Sequence, residues 1–281
     1  MKKHLLLPAL IIGFCISSLS AQNYAEFHIR YGAPSGSQNI YWEVNDILTV
    51  DMKDVDITDQ NGIPMAKYSK IDISLGEGFN AGISFGHHFT DHLSGELGVS
   101  YLFGATAQAR TTATGLNITQ NMSATMLQFN PSVVIDAGDG SWTPYARLGF
   151  IAGFGKITYE VEGIDDDGKD SYTMILDDDI AAGWTAGLGI RHSLNDKISI
   201  FGELSGVAMN YAPGKAEVTE YTSNGVDQLN QLTVNERKVE FFDDFDYPLI
   251  ISQPADEPYT ALKKKLPFGS FGLRFGARIN L

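Results

Sequence analysis

Apolar and polar residues alternate through much of this chain. Phe271, Leu273, Phe275, Ala277, Ile279 and Leu281 are interleaved with Gly272, Arg274, Gly276, Arg278 and Asn280. A strict period of two predicts a strand with one apolar and one polar face. Six more segments match, at about 25–31, 79–85, 93–103, 127–135, 142–154 and 180–190. A weaker one runs over 198–204, with Phe201 on the polar face and Val207 following it there. The pattern predicts an all-β fold of eight antiparallel strands.

The connections alternate as well. Short ones at 90–92, 137–141 and 195–197 separate strands two and three, four and five, and six and seven. Long ones run at about 34–70, 104–124, 156–179 and 211–267. Loops beyond ~15 residues need a special reason. Short turns at one end and long loops at the other are how an up-and-down barrel of a bacterial outer membrane is laid out.

The polar face indicates which side is inward. Gly149, Gly153, Gly183, Gly187, Gly189, Gly272 and Gly276 share it with Arg147, Arg191, Arg274 and Arg278. The interior of an eight-stranded barrel is just wide enough for side chains to fill it. Arginines fit there if glycines make room, so the apolar face is expected outside. The inward set is then Glu26, Glu96 and Glu203 with Arg30, Arg147, Arg191, Arg274 and Arg278. These charges should pair, because an unpaired charge away from water is costly. Glu96 and Glu203 hold matching places in a weak repeat, each in a Gly-Glu-Leu triplet after an Asp-containing turn. Tyr31, Tyr101, Phe103, Trp142, Phe154 and Phe268, near strand ends, suit interfacial girdles.

Lys2 and Lys3, an apolar run from Leu5 to Ile16 and small residues up to Ala21 predict a secretory signal over 1–21, leaving a barrel domain over 22–281. The lone cysteine, Cys15, falls inside that signal, so no internal disulfide is expected. A net charge of −14 argues against a nucleic-acid partner.

Most of the acid lies in the long connections. Asp165, Asp167 and Asp170, around Gly168, form a weak Ca²⁺ candidate, since hard cations favour several carboxylates on a tight turn. The spacing is not that of an EF-hand, and a solvated acidic loop is the preferred reading. His87, His88, His92 and His192 gather near the short turns, where amphipathic histidines are more expected than a metal site.

The signal exit Ser20-Ala21-Gln22, the hairpins HHFTDHLSGELGVSY and HSLNDKISIFGELSG, and the final GSFGLRFGARINL resemble the small outer-membrane β-barrel superfamily typified by OmpA, OmpX and OmpW, in its Bacteroidetes-type form. The resemblance implies an eight-stranded transmembrane barrel in the outer membrane, with short periplasmic turns and long extracellular loops. It also implies a monomer that depends on outer-membrane lipids and on the assembly machinery, with no cofactor. The role it implies is structural or interactive, with a surface protein or glycan as ligand. The alternative is passive transport of a small, apolar solute. Acyl transferases and lipases on this fold need a Ser and a His at the outer rim. With His28 mid-strand and the other mature histidines at the short turns, no catalytic residue and no enzyme activity are expected.

Overall fold

The computed structural model describes residues 23–43, 49–60, 63–138, 140–246 and 253–281. The expected signal at 1–21 lies outside the described residues. Eight long strands carry the architecture: β1 (Asn23–Pro34), β2 (Gly78–Thr90), β3 (Leu93–Gly104), β4 (Leu116–Asp136), β5 (Trp142–Asp165), β6 (Ile180–Ser193), β7 (Ile198–Tyr211) and β8 (Ser270–Asn280). Each pairs antiparallel with the next in sequence, and β8 returns to pair with β1, Arg278 opposite Glu26. The cycle leaves no open edge, so the backbone groups of these strands satisfy one another. The turns between β2 and β3, β4 and β5, and β6 and β7 are short. In the last, Asn195 Oδ1 accepts from the backbone N–H groups of Lys197 and Ile198, both at 2.9 Å.

The expectation of eight strands joined by long loops is corrected here. Among the described residues these strands belong to a 17-stranded sheet. Strands β4 and β5 run on to 21 and 24 residues. Further strands at Lys53–Gln60, Ile63–Lys70, Ala107–Ala113, Gly168–Asp177 and Lys215–Ser223 occupy the segments read as loops. Gly168–Asp177 pairs with the far half of β5 and with Lys215–Ser223, which carries the sheet outward from the cycle.

Strand β4 shows why these segments pass for loops. Its inward positions are Met122, Ala124 and Met126, then Gln128, Ser132 and Asp136. Its outward positions are Asn121, Ser123 and Thr125, then Leu127, Val133 and Ile135. The period of two never breaks, but the apolar residues change face between Met126 and Leu127. The change is level across neighbouring strands, because Leu127 stands opposite Phe154 and Thr125 opposite Lys156.

On one side of that level, large apolar side chains point outward and stay uncovered, among them Phe27, Phe85, Leu97, Leu148, Trp184, Leu188, Leu204 and Phe275. A band this continuous is not a water-facing surface. From Trp142 to Phe154, at ~3.3 Å per residue and a tilt of ~40°, it rises roughly 30 Å, the hydrocarbon thickness of a bilayer. On the other side the interior is apolar. Met122, Met126, Ile157, Tyr159, Met174, Leu176, Met209 and Phe268 pack in one buried cluster. Trp42, on a small separate hairpin, joins it against Phe241 with ring centroids 4.6 Å apart. The projecting part is therefore a packed β-extension with a core of its own.

Candidate functional site in the lumen

Within the apolar band most inward positions are polar, the small cluster of Val134, Tyr145 and Phe201 apart, and the strand geometry aims the charged ones at one another. Glu26 comes from β1, Glu96 from β3, Arg147 from β5, Glu203 from β7, and Arg274 and Arg278 from β8. All six are buried. Arg147 is the hub. Its Nη2 lies 3.0 Å from Glu26 Oε2, its Nε donates to Glu203 Oε2 at 3.0 Å, and its Nη1 meets Glu96. Arg274 reaches Glu26 at 3.2 Å and Glu203 at 3.3 Å. Arg278 reaches Glu26 at 2.7 Å and Glu96 at 3.2 Å. Three carboxylates and three guanidiniums thus close a network across the lumen, each arginine bridging at least two acids, as its planar fork permits.

The remaining two members of the expected set lie apart from the network. Arg191 binds Asp136 at 2.8 Å, an acid the sequence reading left out. Arg30 touches no carboxylate among the described residues: its Nε donates to Ser205 Oγ at 2.7 Å and its Nη2 to Ser270 Oγ at 3.0 Å. Other contributors were also missed. The Tyr24 hydroxyl donates to Glu96 Oε1 at 2.7 Å, and the Tyr24 ring underlies Arg278 at 3.6 Å. Arg274 donates to His28 Nδ1 at 3.0 Å, so that nitrogen carries a lone pair and the ring is neutral. Extending the alternation by one residue, to Tyr24 in β1 and to Asp136 in β4, would have placed both inward.

The glycines on this face make room, but chiefly for other partners than the arginines. A Cβ at Gly187 would lie 2.5 Å from Glu203 Oε1, and one at Gly189 would press on the Tyr145 ring at 2.4 Å from its Cζ. Beside the network the lumen narrows to a cavity of about 50 Å³ bordered by Arg30, Gln128 and Thr185. Beyond it begins the apolar packing of the extension.

The other candidate residues occupy ordinary places. Asp165 Oδ1 accepts the backbone N–H groups of residues 167 and 168, both at 2.9 Å, so it caps a hairpin turn. Asp167 is exposed in that turn, and Asp170 is paired in register with Gly163. Among the described residues no three His, Cys, Asp or Glu side chains gather as metal ligands. His88 Nδ1 lies 2.7 Å from the hydroxyl of the buried Ser94, His87 contacts Asn23, and His192 stacks on Trp142. Tyr31, Tyr101, Phe103, Trp142 and Phe154 are exposed at the band, as girdle residues should be. Phe268 is a correction: it is fully buried and packs edge-on against Tyr211, because it lies above the level where the apolar residues turn inward.

A closed cycle of strands, apolar towards its surroundings and charged within, defines an integral membrane β-barrel. The chain belongs to the outer membrane protein beta-barrel domain family, whose model matches residues 7–235, and the protein resides in the outer membrane. Five chains of solved structures match it. One is Ail, the attachment invasion locus protein of Yersinia pestis, at 9% identity and a TM-score of 0.30, covering 93% of this chain and 100% of that one. No curated protein matches it.

Proposed function

We propose that this protein is a monomeric, eight-stranded transmembrane barrel that serves as a closed anchor for a rigid β-extension at the cell surface. Its short turns face the periplasm and its extension faces outward. Its role is structural or interactive, with a surface protein or glycan as the ligand class, and it includes neither catalysis nor transport. Outer-membrane lipids surround the band, and the assembly machinery inserts it.

The observation that supports this reading is a lumen filled at two successive levels. The Glu–Arg network spans it within the band, and the side chains of Met126, Ile157 and Met209 pack it above. Solute passage would have to break both. Relatives that conduct water-filled traffic use ~16 or more strands. Planar-bilayer recording of the purified protein tests the reading: a silent membrane is expected. Stable unitary conductance steps would overturn it and favour passive transport of a small solute.

A further inference from the structure

The lumen does not balance its own charge. Among the described residues, the buried charged groups of the band are four acids, Glu26, Glu96, Asp136 and Glu203, against five arginines. Asp136 serves Arg191, and the three glutamates are shared among Arg147, Arg274 and Arg278. The surplus cation is Arg30, which is 8% exposed and, among the described residues, bonded only to two serine hydroxyls. Glu203 is the acid whose charge reaches Arg30, but it is bonded to Arg147 and Arg274 instead, and a buried guanidinium with no carboxylate in contact is expensive.

Arg30 borders the cavity of about 50 Å³, and so does Gln128. The Gln128 carbonyl oxygen already accepts from Asn80 Nδ2 at 2.8 Å and Ser100 Oγ at 3.4 Å. Its amide nitrogen is left facing only the Met126 thioether, a weak acceptor at 3.9 Å. Thr185 and Ser84 add hydroxyls to the same wall. Arg147, Arg274 and Glu203 also line the cavity, and that one carboxylate is held by the two network arginines. With Arg30 the wall thus carries net positive charge and underused donors around a space that holds a few water-sized particles at ~10–15 Å³ each.

We propose that this chamber binds a small monovalent anion of chloride size as the counter-ion of Arg30. One negative charge neutralises the surplus. The small volume selects against polyatomic dianions such as sulfate.

The test uses the mature protein refolded in detergent with sodium chloride, bromide or gluconate at equal ionic strength. If the site exists, the heat-unfolding midpoint rises by about 3–6 °C per tenfold increase in chloride once chloride exceeds the dissociation constant, and gluconate has no such effect. Arg30→Gln removes the surplus charge and should abolish the chloride dependence, and Gln128→Leu should weaken it. Crystals grown from bromide-refolded wild-type protein should show an anomalous peak between Arg30 and Gln128, a readout that needs no variant. An unchanged chloride response in Arg30→Gln, or a bromide crystal with an empty chamber, overturns the proposal.

Discussion

Glu203 and Arg147 face each other from β7 and β5, with Arg147 Nε donating to Glu203 Oε2 at 3.0 Å, and the same oxygen lies 3.3 Å from Nη1 of Arg274. One carboxylate oxygen therefore ties three strands together across the lumen. Glu96 does the equivalent from β3, taking Arg147, Arg278 and the Tyr24 hydroxyl. The two glutamates are the acids of the repeated hairpins, and both are keystones of the same network.

Removing both should open and loosen the barrel. Glu96→Ala with Glu203→Ala leaves guanidiniums unpaired, at roughly 3–5 kcal/mol for each broken pair, less where water enters. The expected outcome is a lower heat-unfolding midpoint, read as the gel shift between unheated and boiled samples, and a new leak conductance in planar bilayers. Asp166→Ala with Asp178→Ala, which removes two acids outside the band, should change neither. Equal behaviour of the two double variants would show that the network is no plug.

The level at which the apolar residues change face marks a solvent boundary, and it can be mapped with one added charge. Leu148 is exposed within the band, and Thr158 lies on the same face of β5 beyond Lys156. Leu148→Arg should cost ~2–4 kcal/mol of folding free energy in lipid vesicles, as cations near the bilayer midplane do. Thr158→Arg should cost almost nothing. Comparable losses at the two sites would misplace the boundary.

The extension has a core that can be weakened without touching the barrel. Ile157 is fully buried in it. Ile157→Ala should destabilise it by ~2–5 kcal/mol through lost contacts and the cavity left behind. Trypsin should then cut more rapidly at Lys169 and Lys215, while the gel shift of the barrel stays where it was. A barrel midpoint that falls by the same amount would mean that the two parts unfold as one.

Alkaline pH should act on the same core. Burial, together with the adjacent Tyr172, holds the Tyr159 hydroxyl well above the usual phenol range, and it donates to Gln120 Oε1 at 2.6 Å. The unfolded chain releases this proton near pH ~10 and the folded chain does not, so stability falls as pH rises above that value. Tyr159→Phe should move the alkaline loss of near-ultraviolet dichroism to higher pH. A midpoint unmoved by the substitution would assign the transition to other groups.

Much of this architecture is legible in the sequence because alternation is local. Each residue's neighbours decide its face, and Glu26, Glu96, Arg147, Glu203, Arg274 and Arg278 follow from parity alone. The short turns, the band and most of its girdle are readable for the same reason. Two things were decided only by the tertiary structure. The first is which charges meet. Arg191 finds Asp136 and Arg30 finds two serines, because partners across a lumen are set by the register of strands far apart in sequence. The second is the fate of the long connections. Period two says nothing about which medium lies outside, so the same alternation reads as a strand below Leu127 and Phe154 and as a loop above them. Once the surroundings change from lipid to water, the apolar residues turn inward, Phe268 among them, and the segments read as loops become a packed extension of the sheet.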